Sequence, residues 1–244
     1  MSGNPCTENK CPDCLYLNLE KEPIREGLFN RPSDKQIELH LTINFNEQWQ
    51  DFPFKNIPSG RVKFGIRGGE LILKLNNGKI PYPSRSLNDN MSLSTDLEVE
   101  TAKGEELQST MSGSWSSGKS GVTAKQGSKR TDSRKEKFKK TTYHISTKGS
   151  EEKPIWVFEA GKDELVLKGT LPKEKLATMD ITGDDYQVTA TFEVSLGDVC
   201  FTDGEGIWLK HLTPNKRALF EYEIIRWLLK HKLKPYLSKV ELAS

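Results

Sequence analysis

The sequence predicts a mainly β protein, an antiparallel β-sandwich of about ten strands with one C-terminal α-helix. Three observations support this fold class. Apolar and polar residues alternate in many short segments, and turn residues separate these segments. No helical patterns lie between the strands, which argues against a parallel α/β sheet. A single convincing helical pattern follows the last strand.

The clearest strand pattern is residues 186–196, which read YQVTATFEVSL. Even-numbered positions are apolar or small and odd-numbered positions are polar. Successive side chains of a strand point to opposite faces, so one face should be buried and the other solvated. Residues 36–46, QIELHLTINFN, repeat the pattern and place His40 on the polar face.

Residues 61–82 contain three strand-like runs separated by Gly68-Gly69 and Asn77-Gly78. Both dipeptides accept the positive φ angles of two-residue hairpin turns. The sequence therefore predicts a meander in which the apolar residues of neighbouring runs share one face, namely Val62, Phe64, Ile66, Leu71, Leu73, Leu75 and Ile80.

The chain divides into a lead, a body and a C-terminal segment. Residues 1–36 are expected to be an irregular lead that contains the cysteine cluster, with a short strand near Leu15 to Leu19 as an option. Residues 37–212 form the sandwich body, and residues 213–244 a helix and tail packed on it. Residues 103–140 interrupt the body and are rich in Ser, Gly and Lys. They hold too little apolar surface to offset the entropy cost of ordering, which predicts a flexible loop or a linker between two β halves. One body with a long loop is the preferred interpretation.

The C-terminal helix is predicted to begin at Pro214, after Thr213 as the N-cap, and to end before Pro235. It carries two apolar stripes. One consists of Ala218, Tyr222, Ile225 and Leu229, and the other of Phe220, Ile224 and Trp227. A helix on a sandwich needs only one buried stripe. The second predicts a further cover, and we expect Phe220, Ile224 and Trp227 to contact a protein partner or another copy of the chain.

The N-terminal cysteines are a candidate metal site. Cys11 and Cys14 have the two-residue spacing at which thiolates can reach one zinc ion, and Cys6 is a candidate third ligand. A fourth ligand would come from Cys200 or a histidine. Free thiols in a loose lead are the first interpretation, and a structural zinc, a redox pair and an intermolecular disulfide are the alternatives. The sequence therefore predicts no cofactor, with structural zinc as the alternative.

Residues 119–140 hold nine basic and two acidic residues, although the net charge of the whole chain is only +2. Clustered Lys and Arg neutralise phosphates, so this segment is a candidate arm for nucleic acid or another polyanion. A solvated loop without a ligand and a membrane surface are the alternatives. The candidate polyanion-binding residues are Lys129, Arg130, Arg134, Lys135, Lys137, Lys139 and Lys140.

The sequence contains none of the local motifs that identify common hydrolases, metalloproteases or nucleotide-binding enzymes. A non-enzymatic binding or assembly module is therefore the first functional hypothesis. A nucleic-acid-associated protein is the second, and an enzyme of unreadable class the third. No run approaches the roughly 18 apolar residues of a membrane span, and the first residues lack a secretory pattern. A cytoplasmic protein with no membrane contact is expected.

Overall fold

A computed structural model describes residues 6–26, 31–52, 60–87, 90–94, 140–206 and 213–244. Most of these residues lie in strands of antiparallel sheets, and the one long helix among them is C-terminal. The predicted mainly β, antiparallel fold class is confirmed.

The described strands follow in chain order. They are β1 (Cys6–Asn9), β2 (Leu15–Glu26), β3 (Arg31–Phe45), β4 (Gln48–Phe52), β5 (Gly60–Ile66), β6 (Gly68–Asn76), β7 (Gly78–Lys79), β8 (Asn90–Ser94), β9 (Lys140–Gly149), β10 (Pro154–Ala160), β11 (Gly169–Ile181), β12 (Gln187–Glu193), β13 (Val199–Glu205) and β14 (Ser238–Ala243). The helix α1 (Pro214–Leu228) continues into a π-helical turn, Leu229–Leu233. Short 3-10 turns span Tyr82–Ser84 and Leu196–Asp198.

Within the described residues the strands form two antiparallel sheets. The larger has eleven strands in the order β1-β14-β12-β6-β10-β9-β8-β11-β3-β2, with β7 paired to β11, and the smaller has the order β13-β5-β4. Phe45 of β3 meets Phe158 of β10 and Phe192 of β12 at ring-centroid distances of 5.7 and 5.6 Å. Since β3 is several strands away from β10 and β12 along the sheet, the sheet must fold over a shared core.

The two strongest strand patterns are confirmed. Val188, Ala190 and Phe192 of β12 are fully buried, and so are the inward residues of β3 from Leu39 to Ile43. His40 points away from this core. Local alternation thus identified both strands and the face that each one buries.

The described part of residues 1–36 is regular, which corrects the expectation of an irregular lead. β2 pairs along its length with β3, and Leu15, Leu17 and Leu19 are buried. β1 pairs with β14, so that Cys6 lies opposite Glu241. The polar residues between these leucines form the outer face of a strand, which made the segment look irregular by composition.

The predicted meander over residues 61–82 is wrong about which strands pair, but it identified the side chains that are buried. β5 pairs with β4 and β13 in the small sheet, whereas β6 lies between β10 and β12 in the large one. Gly68 and Gly69 are part of β6 and neither has a positive φ. A Cβ on Gly69 would lie 2.5 Å from a ring carbon of Phe192, so this glycine admits the close approach of an aromatic ring.

The second turn of that meander also differs from the expectation. Asn77 has a positive φ of 55°, as the sequence suggested, but β7 then pairs with β11 and not with β6. The Asn77 side chain donates a hydrogen bond to the Asp185 carbonyl at 2.7 Å, which fixes the exit from β6 toward β11.

The strands before and after residues 95–139 share one sheet. β8 and β9 pair with each other, and Ser94 lies opposite Lys140. β6 lies between two strands from the second half of the chain, β10 and β12. The segment therefore leaves and re-enters the sheet at adjacent positions of a hairpin, and both halves of the chain contribute to one core.

Candidate functional site

The C-terminal helix begins at Pro214, as predicted, and its inner face is centred on Ile224 and Leu228, which are both fully buried. Phe220 and Trp227 are half-buried and pack against the same core. The expectation that Phe220, Ile224 and Trp227 form a partner surface is therefore wrong for Ile224, because its side chain is already covered by the chain itself. Of the described helices, none combines the length and the apolar character needed to cross a membrane.

The exposed apolar residues of α1 lie on the other side of the helix. Leu219 is 67% exposed and Tyr222 is 46% exposed. Ion pairs flank them, with Arg217 Nε 3.0 Å from Glu221 Oε1. We call Leu219 and Tyr222, with their neighbour Ala218, the outer helix face. The sequence showed two stripes, but which of them packs inward depends on how the helix docks.

Cys11 and Cys14 close a tight turn between β1 and β2. The Cys11 carbonyl accepts hydrogen bonds from the N–H groups of Cys14 and Leu15, both at 3.0 Å. Both side chains are buried. Burial raises the pKa of the Cys11 thiol to about 11, and burial and the neighbouring Cys11 also raise the pKa of the Cys14 thiol. At neutral pH both are protonated, so a zinc ion would have to displace these protons.

The third proposed zinc ligand starts β1, three residues before Asn9. At the rise of an extended strand, the Cα atoms of Cys6 and Asn9 are about 10 Å apart. Among the described residues no group of three His, Cys, Asp or Glu side chains is placed to hold a metal ion. The side chain of Cys6 lies outside the described residues, and structural zinc stays a prediction.

The basic segment falls almost entirely outside the described residues. Of its candidate contacts only Lys140 has a described backbone, as the first residue of β9. The polyanion-binding role of Lys129, Arg130, Arg134, Lys135, Lys137 and Lys139 therefore stays a prediction.

A cleft of about 450 Å³ lies where β12 leaves the large sheet, and sequence reasoning did not find it. Its carboxylates are Glu70, Glu159, Glu193 and Asp198. Glu70 and Glu193 are direct cross-strand neighbours, an arrangement in which like charges repel. Lys148 Nζ relieves this repulsion at 2.6 Å from Glu70 Oε1. Only the register between β6 and β12 brings the two glutamates together, so no local signal could have revealed them.

The wall of this cleft is a capped turn. Asp198 Oδ2 accepts a hydrogen bond from the Ser195 backbone N–H at 2.7 Å, and the Ser195 side chain accepts one from the Asp198 backbone N–H. This capping box fixes the turn after β12. The Asp198 carbonyl also accepts a hydrogen bond from the Arg67 N–H at 2.6 Å. The cleft can attract cationic groups, but these carboxylates are not placed to share a metal ion.

A second charged group spans β2, β3 and β11 on the outer face of the sheet. His40 Nε2 lies 3.4 Å from Glu38 Oε2 and 3.6 Å from Glu22 Oε2. A hydrogen bond from Lys175 to Glu38 and one from Lys173 to Glu22 lower the pKa of both carboxyls. The arrangement is an ion-pair network that crosses three strands, which a solvated sheet face can carry without a ligand.

In comparisons with known proteins, no protein-family model and no curated protein sequence matches the chain significantly. The functional argument therefore rests on the residues and surfaces described above.

Proposed function

We propose that this chain is a non-enzymatic binding module that presents the outer helix face to a protein partner or to another copy of itself. One observation carries the proposal: α1 is anchored by a buried inner face while Leu219 and Tyr222 remain exposed on its opposite side. Solvent-exposed apolar side chains on a rigidly held helix are the usual anchors of helix-mediated recognition.

The test replaces the two large apolar residues of the outer helix face in the variant Leu219→Ser/Tyr222→Ser. Loss of a specific partner, or of a dimer seen by size-exclusion chromatography with light scattering, is the expected result, because truncating two central anchors costs about 2 kcal/mol or more of binding free energy. The melting temperature should stay near that of the parent, since neither side chain is in the core.

The chain offers a matched control in Leu165 and Tyr16. They are the same residue types and are 71% and 49% exposed. The variant Leu165→Ser/Tyr16→Ser removes equivalent apolar surface elsewhere. If both double variants lose binding equally, or if the parent chain is monomeric and has no partner, the proposal is wrong.

A second candidate function is polyanion binding by residues 119–140. The charge of this segment, nine basic against two acidic residues, supports this function. Ser94 and Lys140 lie opposite each other across the β8–β9 pair, so the residues between them can be replaced by a short turn. Replacing residues 95–139 with Asn-Gly should close this hairpin with a two-residue turn. Binding of oligonucleotide should fall while the melting temperature is kept. Unchanged oligonucleotide affinity after this replacement would exclude the second candidate.

A further inference from the structure

The turn that ends the C-terminal helix exposes an unusual density of basic side chains. Lys230, His231, Lys232 and Lys234 are all exposed, and we call them the C-terminal basic turn. Leu229 and Leu233 are buried on the inner side of the same turn. The buried leucines fix the turn to the body, so the basic side chains project from a rigid support.

Several lysines elsewhere in the chain are ion-paired. Lys148, Lys168 and Lys175 each lie 2.6 Å from a glutamate oxygen. In the part of the chain that the structure describes, Lys230, Lys232 and Lys234 form no ion pair within 4.0 Å. No ion pair therefore neutralises their positive charge locally.

Lys10, which directly follows β1, extends the same basic surface. Lys10 Nζ donates a hydrogen bond to the Lys234 carbonyl at 2.9 Å and lies 4.4 Å from the centre of the Tyr236 ring. Two carboxylates border the patch: Glu8 accepts a hydrogen bond from the Tyr236 hydroxyl at 2.8 Å, and Asp13 acts electrostatically on Cys11, as does Lys232.

Aromatic rings lie beside these cations. The rings of Trp227 and His231 are 5.2 Å apart, and Trp227 is half-buried with part of its surface in solvent. Unpaired bases stack on such rings. Among the described residues of the helix, the most exposed apolar side chain is Leu219, which lies eleven residues before Lys230, about 16 Å away along a helix.

The helix dipole accounts for only part of this arrangement. Cations in the last turn of a helix stabilise it by about 0.3–1 kcal/mol each, and the effect falls off beyond that turn. Lys234 follows the end of the helical segment, and Lys10 belongs to another part of the chain. Lys234 and Lys10 therefore add to the repulsion between the positive charges of the patch, and the helix dipole does not offset this cost.

We propose that the C-terminal basic turn, with Lys10, binds the phosphate backbone of a single-stranded nucleic acid, and that Trp227 and His231 offer a stacking surface to its bases. This goes beyond the proposed protein-binding function and uses described residues that are separate from residues 119–140.

The test measures the affinity of the full chain for a fluorescent single-stranded DNA oligonucleotide over a series of salt concentrations. In the variant Lys230→Gln/Lys232→Gln/Lys234→Gln, the slope of log affinity against log salt should fall by about 2, because each phosphate contact to a single strand contributes about 0.7. The affinity at low salt should fall about tenfold or more. The melting temperature should change little.

The matched control is Lys148→Gln/Lys173→Gln/Lys175→Gln, which removes the same charge from ion-paired lysines and should leave the slope unchanged. An equal loss of affinity in both variants would show a net-charge effect and overturn the proposal. A lower melting temperature with an unchanged slope would assign the lysines to the helix dipole alone. Binding to anionic vesicles and to a poly-glutamate peptide is measured in parallel. If the lysine variant loses binding to only one of these two ligands and keeps its affinity for the oligonucleotide, the proposal is also overturned. Binding that persists in the lysine variant and vanishes when residues 95–139 are replaced would place the site in the basic segment instead.

Discussion

Glu47 shows how a single carboxylate is kept ionised inside this protein. Its side chain is 11% exposed, and Lys168 and Lys63 approach its Oε2 at 2.6 and 3.4 Å. Burial on its own would raise the pKa of Glu47, but hydrogen bonds from Lys168 and Thr202 and the two positive charges outweigh burial and lower it. The ionised glutamate ties the chain between β3 and β4 to residues of β5, β13 and the segment before β11.

Glu47→Gln should therefore destabilise the fold in a pH-dependent way. The folded-state pKa of Glu47 lies below the unfolded value of about 4.3, so its contribution is complete above that pH and disappears as the pH falls through the folded-state pKa. Because charged hydrogen bonds are lost, we expect the free energy of unfolding to fall by about 1–2 kcal/mol at neutral pH and by less near pH 3. Urea unfolding at both pH values measures it.

The control for this substitution is Glu174→Gln, at an exposed glutamate on β11. It should leave the free energy of unfolding within about 0.5 kcal/mol of the parent at both pH values. A Glu47→Gln effect of equal size at neutral and acidic pH would contradict the assigned ionisation.

At the scale of the elements, β6 shows what local sequence can and cannot determine. The alternation of apolar residues correctly predicted which side chains it buries. It could not determine its neighbours, because β10 and β12 lie about 80–120 residues further along the chain. Gly69 looked like a turn residue since glycine also serves where a ring must approach the backbone, and only the position of Phe192 distinguishes the two roles.

Gly69→Ala tests this interpretation of β6. The added methyl would lie 2.5 Å from the Phe192 ring and 2.9 Å from the Glu193 carbonyl oxygen, so the core must shift. Overpacking of this kind predicts a loss of about 1–3 kcal/mol in the free energy of unfolding. Gly197→Ala is the control, because its methyl meets nothing within 4 Å. Equal stability of the two variants would show that Phe192 can move without cost.

The candidate sites also show which properties local sequence determines and which depend on packing against distant residues. The sequence identified a cysteine pair, a two-striped helix and a basic segment, because each is a local pattern. It did not predict that the Cys11 and Cys14 thiols are buried, that Ile224 faces inward, or that Glu70 and Glu193 are cross-strand neighbours in the lining of a cleft. Those properties depend on how β1, α1 and β6 pack against distant parts of the chain.

At the scale of the whole molecule, the two halves of the chain share one core. The Phe158 and Phe192 rings come from the second half and lie 5.9 Å apart, and Phe45 from the first half contacts them at 5.7 and 5.6 Å. We expect residues 1–94 and 140–244, produced separately, to be unfolded by circular dichroism and by NMR chemical-shift dispersion. The chain with residues 95–139 replaced by Asn-Gly is the folded control. Cooperative unfolding of either fragment alone would contradict a shared core.

The pairing of β1 with β14 sets an order on biosynthesis. Cys6 lies opposite Glu241, and β14 in turn completes β12 on its other side. While β14 is still inside the ribosome, β1 and β12 each have a strand edge without its partner. The sheet can therefore close here only after β14 has emerged, and during that interval the exposed edges are targets for chaperones or for strands of neighbouring nascent chains.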